Sequence, residues 1–262
     1  IISLLNHDSN SIQTLSASCL TIIIQEPENH HLIEDYSKNL CSYLSNALSK
    51  IESSEPALRL SGVLSSTFKG AILLENNNVF KDIIKLIQSE DQNIRKLAYM
   101  TIASHSSLYP MSNSFIEFIP TLFESLNDET VSPYPLITIC NITLNPIAAV
   151  SCIPYFSKLI LLFKENDETT INRTLIIIHR ILSTHEAILQ IEDSSIFNNL
   201  IQQTKSFWEN NYSISIFEIL ESISNTQIGK QSLIESKIKD FIEDYFNSIQ
   251  ITDPLRPLQI GR

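Results

Sequence analysis

Apolar residues recur along this chain at steps of three and four almost from end to end. Ile83, Ile84, Leu86 and Ile87 are followed by Ile94, Leu97, Ala98 and Ile102, a spacing that lines one face of a helix. Strict apolar and polar alternation, the mark of a half-buried strand, is not sustained anywhere, so the pattern predicts an all-α chain. Polar breaks at residues 6–10, 53–56, 89–91, 127–129 and 166–168 separate the helical stretches. Each supplies Asn, Asp, Ser or Glu at a place where the first free N–H groups of a helix need acceptors. Pro56 and Pro154 are expected in first turns, where a missing N–H costs nothing. These breaks predict about eleven to thirteen helices joined by short connections.

The breaks are themselves periodic. Taking a central apolar residue from every second helix gives Leu20, Leu64, Ile102, Ile139, Ile178 and Leu220, with intervals of 44, 38, 37, 39 and 42 residues. Ile12, Ile94 and Val131 precede their anchors by eight and Ile171 by seven, while Ile23, Ile142, Ile181 and Ile223 follow theirs by three. A period near 40 residues with two or three helices is that of stacked helical repeats. No single unit of this kind can bury its apolar face alone, so neighbours stack into one continuous core.

The run from Phe80 to Ala98 resembles an armadillo repeat: an apolar helix, the acidic turn Ser89-Glu90-Asp91, then a helix carrying the small residue Ala98. Asn141, within Ile139-Cys140-Asn141-Ile142, resembles the Leu-x-Asn-Leu signature of the inner helix. The resemblance to armadillo and HEAT repeats covers nearly the whole chain. It implies a right-handed α-solenoid of about six repeats over residues 1–249, the first truncated, with an extended linker over 250–262. The usual inter-helix glycine is missing from most units, and Ile and Ser stand where alanine is common.

Composition narrows the function. With 29 acidic and 18 basic residues the net charge is −11, and 43% hydrophobic against 18% charged residues describes a folded chain. That charge opposes a polyphosphate, and the densest basic groups, Arg95-Lys96 and Lys230 with Lys237 and Lys239, make no basic stripe, so no nucleic acid is expected as a partner. The longest apolar runs, Leu159 to Phe163 and Leu175 to Ile178, fall far short of the roughly 20 residues of a spanning helix. The four cysteines form no CxxC pair and read as buried thiols in a reduced, cytoplasmic setting. The chain starts on Ile1 with apolar periodicity already under way, which suggests a segment of a larger multidomain protein.

Reactive chemistry finds no foothold in the sequence. The four glycines, Gly62, Gly70, Gly229 and Gly261, build neither a phosphate loop nor a nucleophile elbow. His7, Cys19, His30, His31 and Cys41 have no metal-ligand spacing. His179-Arg180-Ile181 lacks the aspartate of a kinase catalytic loop. The pairs Glu90/Asp91, Asp128/Glu129 and Asp167/Glu168 recur at equivalent turns and suit helix N-termini better than acid-base catalysis. The expectation is therefore no catalytic residue, no cofactor and no metal.

What remains is the inner surface. In armadillo proteins an asparagine two residues past the anchor, with a tryptophan two before it, clamps extended peptides. Here the asparagine place holds Ile22, Ser66, Ser104, Asn141, Arg180 and Ser222, and the tryptophan place holds Ser18, Gly62, Met100, Ile137, Ile176 and Glu218. One asparagine in six and no tryptophan disfavour an importin-like receptor, and the lone Trp208 falls outside the array. Met100 with Ser104, Ile137 with Asn141 and Ile176 with Arg180 are i, i+4 pairs on consecutive inner helices and are expected to present an apolar strip edged by polar groups, suited to a partner peptide or helix; Glu218 and Ser222 complete the candidate set at the last repeat. The expected role is a protein-binding scaffold; the alternative is a regulatory repeat segment of an enzyme, such as a protein kinase, whose catalytic domain lies elsewhere in the parent chain.

Overall fold

The computed structural model describes residues 1–164, 167–191, 194–206 and 212–252. Among them there is no strand, and seventeen α-helices are joined by short loops and 3₁₀ turns. The chain divides into two compact units, Ile1–Ser151 and Cys152–Arg262.

The first unit holds α1 (Asn10–Gln25), α2 (His31–Asp35), α3 (Ser37–Leu48), α4 (Ile51–Ser65), α5 (Phe68–Asn76), α6 (Val79–Lys85), α7 (Gln92–Leu108), α8 (Ile119–Glu124), α9 (Tyr134–Ile142) and α10 (Pro146–Ser151). The second holds α11 (Phe156–Leu161), α12 (Glu168–Ser183), α13 (His185–Leu189), α14 (Ser194–Ser206), α15 (Ser213–Ser224), α16 (Gln227–Glu235) and α17 (Ile238–Thr252). The structure has more helices than the polar breaks predict because α2, α8, α10, α11 and α13 are only five or six residues long. One turn and a half is too short for a 3.6-residue period to register.

Several repeats are triplets of a leading helix, an outer helix and an inner helix. In the first unit α2–α3–α4 and α5–α6–α7 are such triplets, and in the third the 3₁₀ stretch Asn113–Phe118 stands in for the leading helix before α8 and α9. In the second unit α13–α14–α15 is a complete triplet. The inner helices carry the stack. α4 packs on α1, α7 on α4 and α9 on α7, while in the second unit α15 packs on α12. All six sequence anchors lie on these inner helices and are buried. At about 1.5–3 kcal/mol for each fully buried Leu or Ile, this spine supplies much of the stabilising energy.

Helix starts follow the predicted cap chemistry in part. Asp91 accepts from the N–H groups of Asn93 and Ile94 at 2.8 and 3.3 Å, and Asp167 from that of Thr170 at 2.8 Å. Residues 53–56 are not a break. They lie inside α4, where Ser53 and Ser54 are buried and donate to the carbonyls of Ala47 and Ile51 at 3.0 and 2.8 Å. Their hydroxyls find backbone acceptors and so need no solvent. Pro56 accordingly sits within the helix and not in its first turn. α17 includes residues 250–252; residues 253–262 and Trp208 lie outside the described residues.

Helix ends fix the register of the repeats. The N–H groups of Glu26, Thr67, Asn145, Thr184 and Thr226 each donate to the carbonyl three residues back, on Ile23, Leu64, Ile142, Ile181 and Ile223. Leu64 is therefore the counterpart of Ile223 and not of Leu220. The matching anchor in α4 is the fully buried Ser61, and the first two intervals become 41 and 41 residues in place of 44 and 38. A buried serine at an anchor hides that repeat from a search keyed to apolar residues.

Candidate inner-face binding site

In the first unit the expected pairs sit on adjacent helices. Met100 and Ser104 project from α7, Ile137 and Asn141 from α9, and α7 packs against α9. Met100 is 38% exposed, and Ser104, Ile137 and Asn141 are half-buried. These side chains are not core, although Ile102 and Ile139 two residues away are sealed. Asn141 uses its amide within the fold, where Nδ2 donates to Ser106 Oγ on α7 at 3.0 Å. Its donor thus joins two inner helices. With the corrected register, the places of Gly62 and Ser66 on α4 pass to Arg59 and Val63. Arg59 reaches back to Glu55, donating from Nε at 3.1 Å and Nη2 at 2.9 Å.

In the second unit Ile176 and Arg180 lie on α12 and Glu218 and Ser222 on α15, which pack together. Ile176 is 38% exposed, Arg180 half-buried and Glu218 exposed. Ser222 is buried, and its hydroxyl donates to the carbonyl of Glu218 at 2.9 Å. Two surface characters result: mainly apolar on α7 and α9, charged on α12 and α15.

The sequence does not single out the most polar buried cluster of the first unit. His105 on α7 is fully buried and stacks on Phe80 with ring centroids 3.9 Å apart. Its Nε2 lies 3.4 Å from Glu75 Oε2 on α5. Glu75 Oε1 also accepts from the hydroxyls of Ser112 and Ser114, which open the turn after α7. Burial would raise the Glu75 pKa, but the close approach of the His105 ring and the Ser112 and Ser114 hydroxyl bonds outweigh it and hold the carboxyl at about 2. His105 occupies the position that is Ile23, Leu64, Ile142, Ile181 and Ile223 in other repeats. That lone polar exception was the available signal, and it is visible only once the register is known.

Chemically the cluster is a clasp: a sealed imidazole has no route to a substrate. Among the described residues no group of three or more His, Cys, Asp or Glu side chains could hold a metal ion. No disulfide joins the four cysteines, and burial pushes the thiols of Cys41 and Cys152 up, the latter to about 12, which leaves it a poor nucleophile. No helix among the described residues is long and apolar enough to cross a membrane.

No family model matches the sequence, and no curated protein matches it. Solved structures do match. An engineered protein superposes with a TM-score of 0.74 at 17% identity, covering 90% of this chain and 60% of that one. A designed armadillo repeat protein gives 0.69 at 17% identity, covering 84% and 97%. Another, solved in complex with the peptide (KR)4, gives 0.68 at 18% identity over 84% and 97%. At these identities the likeness establishes the fold: the chain is an armadillo-like array of helical repeats.

Proposed function

We propose that this chain is a non-catalytic protein-binding module that takes a partner peptide or helix along its inner helices, as one segment of a larger cytoplasmic protein. The observation that supports this most is the exposure of Met100 and Ile176 beside sealed anchors two residues away. Helical repeats bury one stripe to stack and leave the neighbouring stripe free to vary, which is how such arrays display side chains from several repeats to one partner. The peptide complex of a designed protein with the same fold is in keeping with this reading. The Glu75 and His105 clasp is closed to solvent on the histidine side, which suits a structural role for this pair.

The test is selection of binders from a random peptide library against the folded chain, followed by Met100→Asp with Ile137→Asp in the first unit and Ile176→Asp in the second. Selected peptides should lose affinity about tenfold or more on at least one of these variants, with helical circular dichroism unchanged. Peptides that bind all variants equally would refute the inner face as the site.

A further inference from the structure

A groove of about 600 Å³ separates two outer stretches of the first unit, α6 with the 3₁₀ turn Leu86–Gln88 on one side and the 3₁₀ stretch Asn113–Phe118 with α8 on the other. Across it Lys81, Ile84 and Lys85 face Ser114, Glu117 and Phe118, each set spaced by three and four residues. Two such helical faces form a channel, and its volume lies within the range of about 300–1,000 Å³ usual for binding pockets. In the preceding repeat α6 packs closely on α3, whereas α8 and α6 touch only slightly. The walls are nonetheless fixed. The buried Phe80 and Phe115 join them with ring centroids 5.3 Å apart, and Ser114 donates to Glu75 Oε1 at 2.6 Å. A preformed channel loses little ordering entropy when it is filled.

The rims carry opposite charges over an apolar floor. Lys81 and Lys85 stand on the α6 rim and Glu117 on the other, with the buried Ile87 and Phe118 and the half-buried Ile84 between them. Lys81 and Glu117 are exposed and in no ion pair among the described residues, and Lys85 pairs along its own helix with Asp82 at 2.7 Å. An exposed pair of that kind is weak, so the rims are left to answer charges from outside. Stacking does not require these charges. Val79, Ile83 and Ile87 are buried as Leu40, Leu44 and Leu48 are in α3, and in that register Lys81 and Lys85 replace the exposed, uncharged Ser42 and Asn46. A uniformly anionic ligand would meet Glu117, and a uniformly cationic one the lysines. We infer that this groove docks an amphipathic helix of a partner protein, with carboxylates along one edge of its apolar stripe and lysine or arginine along the other. The groove shares no side chain with the inner-face strip, so either can fail alone.

The probes are three stapled helical peptides that share one leucine stripe and differ in its edges: Glu with Lys, Glu with Glu, or Lys with Lys. Fluorescence anisotropy with the full chain reads their binding in about 0.15 M salt, which screens the net charge of −11 beyond about 8 Å. The mixed peptide should bind about tenfold more tightly than either uniform one. Lys81→Glu with Lys85→Glu should weaken it about tenfold and make the Lys/Lys peptide the tightest, while Glu117→Lys should make Glu/Glu the tightest, with circular dichroism unchanged. Lys81→Glu alone gives the same direction should the double variant fold poorly. Met100→Asp with Ile137→Asp should change affinity by less than about twofold. Failure of the mixed peptide to bind, equal binding of all three, or indifference to the rim variants would overturn the inference. Loss on Met100→Asp with Ile137→Asp but not on the rim variants would overturn it while leaving the inner-face proposal standing. Sedimentation velocity tests a second copy of the chain: a concentration-dependent dimer that the rim variants dissolve would overturn a partner protein as the occupant.

Discussion

Two corners of the molecule, 159 residues apart, are built alike and used differently. In the α4–α5–α6 corner Thr67 accepts from the Gly70 N–H at 3.0 Å, and in the α15–α16–α17 corner Thr226 accepts from the Gly229 N–H at 2.9 Å. Asn78 and Lys237, again 159 apart, both take the left-handed conformation, with φ of 59° and 51°. The offset is four repeats of about 40 residues, so the same backbone corner recurs once in each unit. What differs is what covers it. Phe80 is sealed beneath the His105 ring and Glu75 sits in the clasp, whereas their counterparts Lys239 and Ile234 are exposed, Ile234 at 70%. The corner itself is local backbone chemistry; whether its outer side chains matter depends on the helix that follows.

The largest expected effect separates the two corners. Glu75→Ala would leave Ser112 and Ser114 without their acceptor and the buried His105 without its carboxylate neighbour, and cost about 3 kcal/mol, whereas Ile234→Ala should change stability by less than about 0.5 kcal/mol. Urea titration of each variant checks this, and equal losses would break the contrast. The acid limb is a second handle. The carboxyl has a folded pKa of about 2 against a usual 4.5, so its contribution is complete above about pH 4.5 and is lost as pH falls through about 2. Glu75→Gln should flatten that part of the stability profile, and an unchanged acid limb would show that the carboxylate is not held as described.

Next come the glycines, where the corners should agree. A Cβ at Gly70 would lie 2.2 Å from the Leu64 carbonyl oxygen, and one at Gly229 would lie 2.1 Å from that of Ile223. Both obstacles are backbone atoms at a helix end, which cannot rotate away. Gly70→Ala and Gly229→Ala should each cost about 2 kcal/mol, measured by local hydrogen exchange in the two units. A neutral effect at either would show that its turn relaxes and that the corners are not mechanically equivalent. One step smaller, Thr67→Ala and Thr226→Ala should each cost about 1 kcal/mol through loss of the cap.

These particulars explain how much could be read beforehand. Helix type, repeat length and buried anchors come from periodicity, which survives in sequence because every repeat must bury the same stripe. That Met100 and Ile176 are exposed and Ile137 half-buried depends on how far the neighbouring helix reaches, and no pattern along one helix contains that distance. The α4 register is obscured by a single polar anchor, Ser61. The clasp is the hardest case, since Glu75, His105, Ser112 and Ser114 are up to 39 residues apart and each is ordinary in its own segment. Their meaning exists only once α5, α7 and the following turn are packed together.

The smallest expected effect tests whether the two corners share one backbone demand. A left-handed conformation places Cβ close to the carbonyl that follows it, a strain asparagine tolerates better than lysine because its short amide bonds locally. Asn78 meets the demand with a suitable side chain and Lys237 does not, yet both N–H groups donate at 3.1 Å to the carbonyl three residues back, on Glu75 and Ile234. Lys237→Asn should therefore stabilise the second unit by about 0.5 kcal/mol, and Asn78→Lys should destabilise the first by a similar amount. Lys237 is exposed and in no ion pair among the described residues, so the substitution removes no charge partner. Opposite signs of matched size in a paired thermal melt would mark the corners as copies of one backbone solution. A loss of stability on Lys237→Asn would mean that the second corner holds its left-handed residue by a different balance from the first.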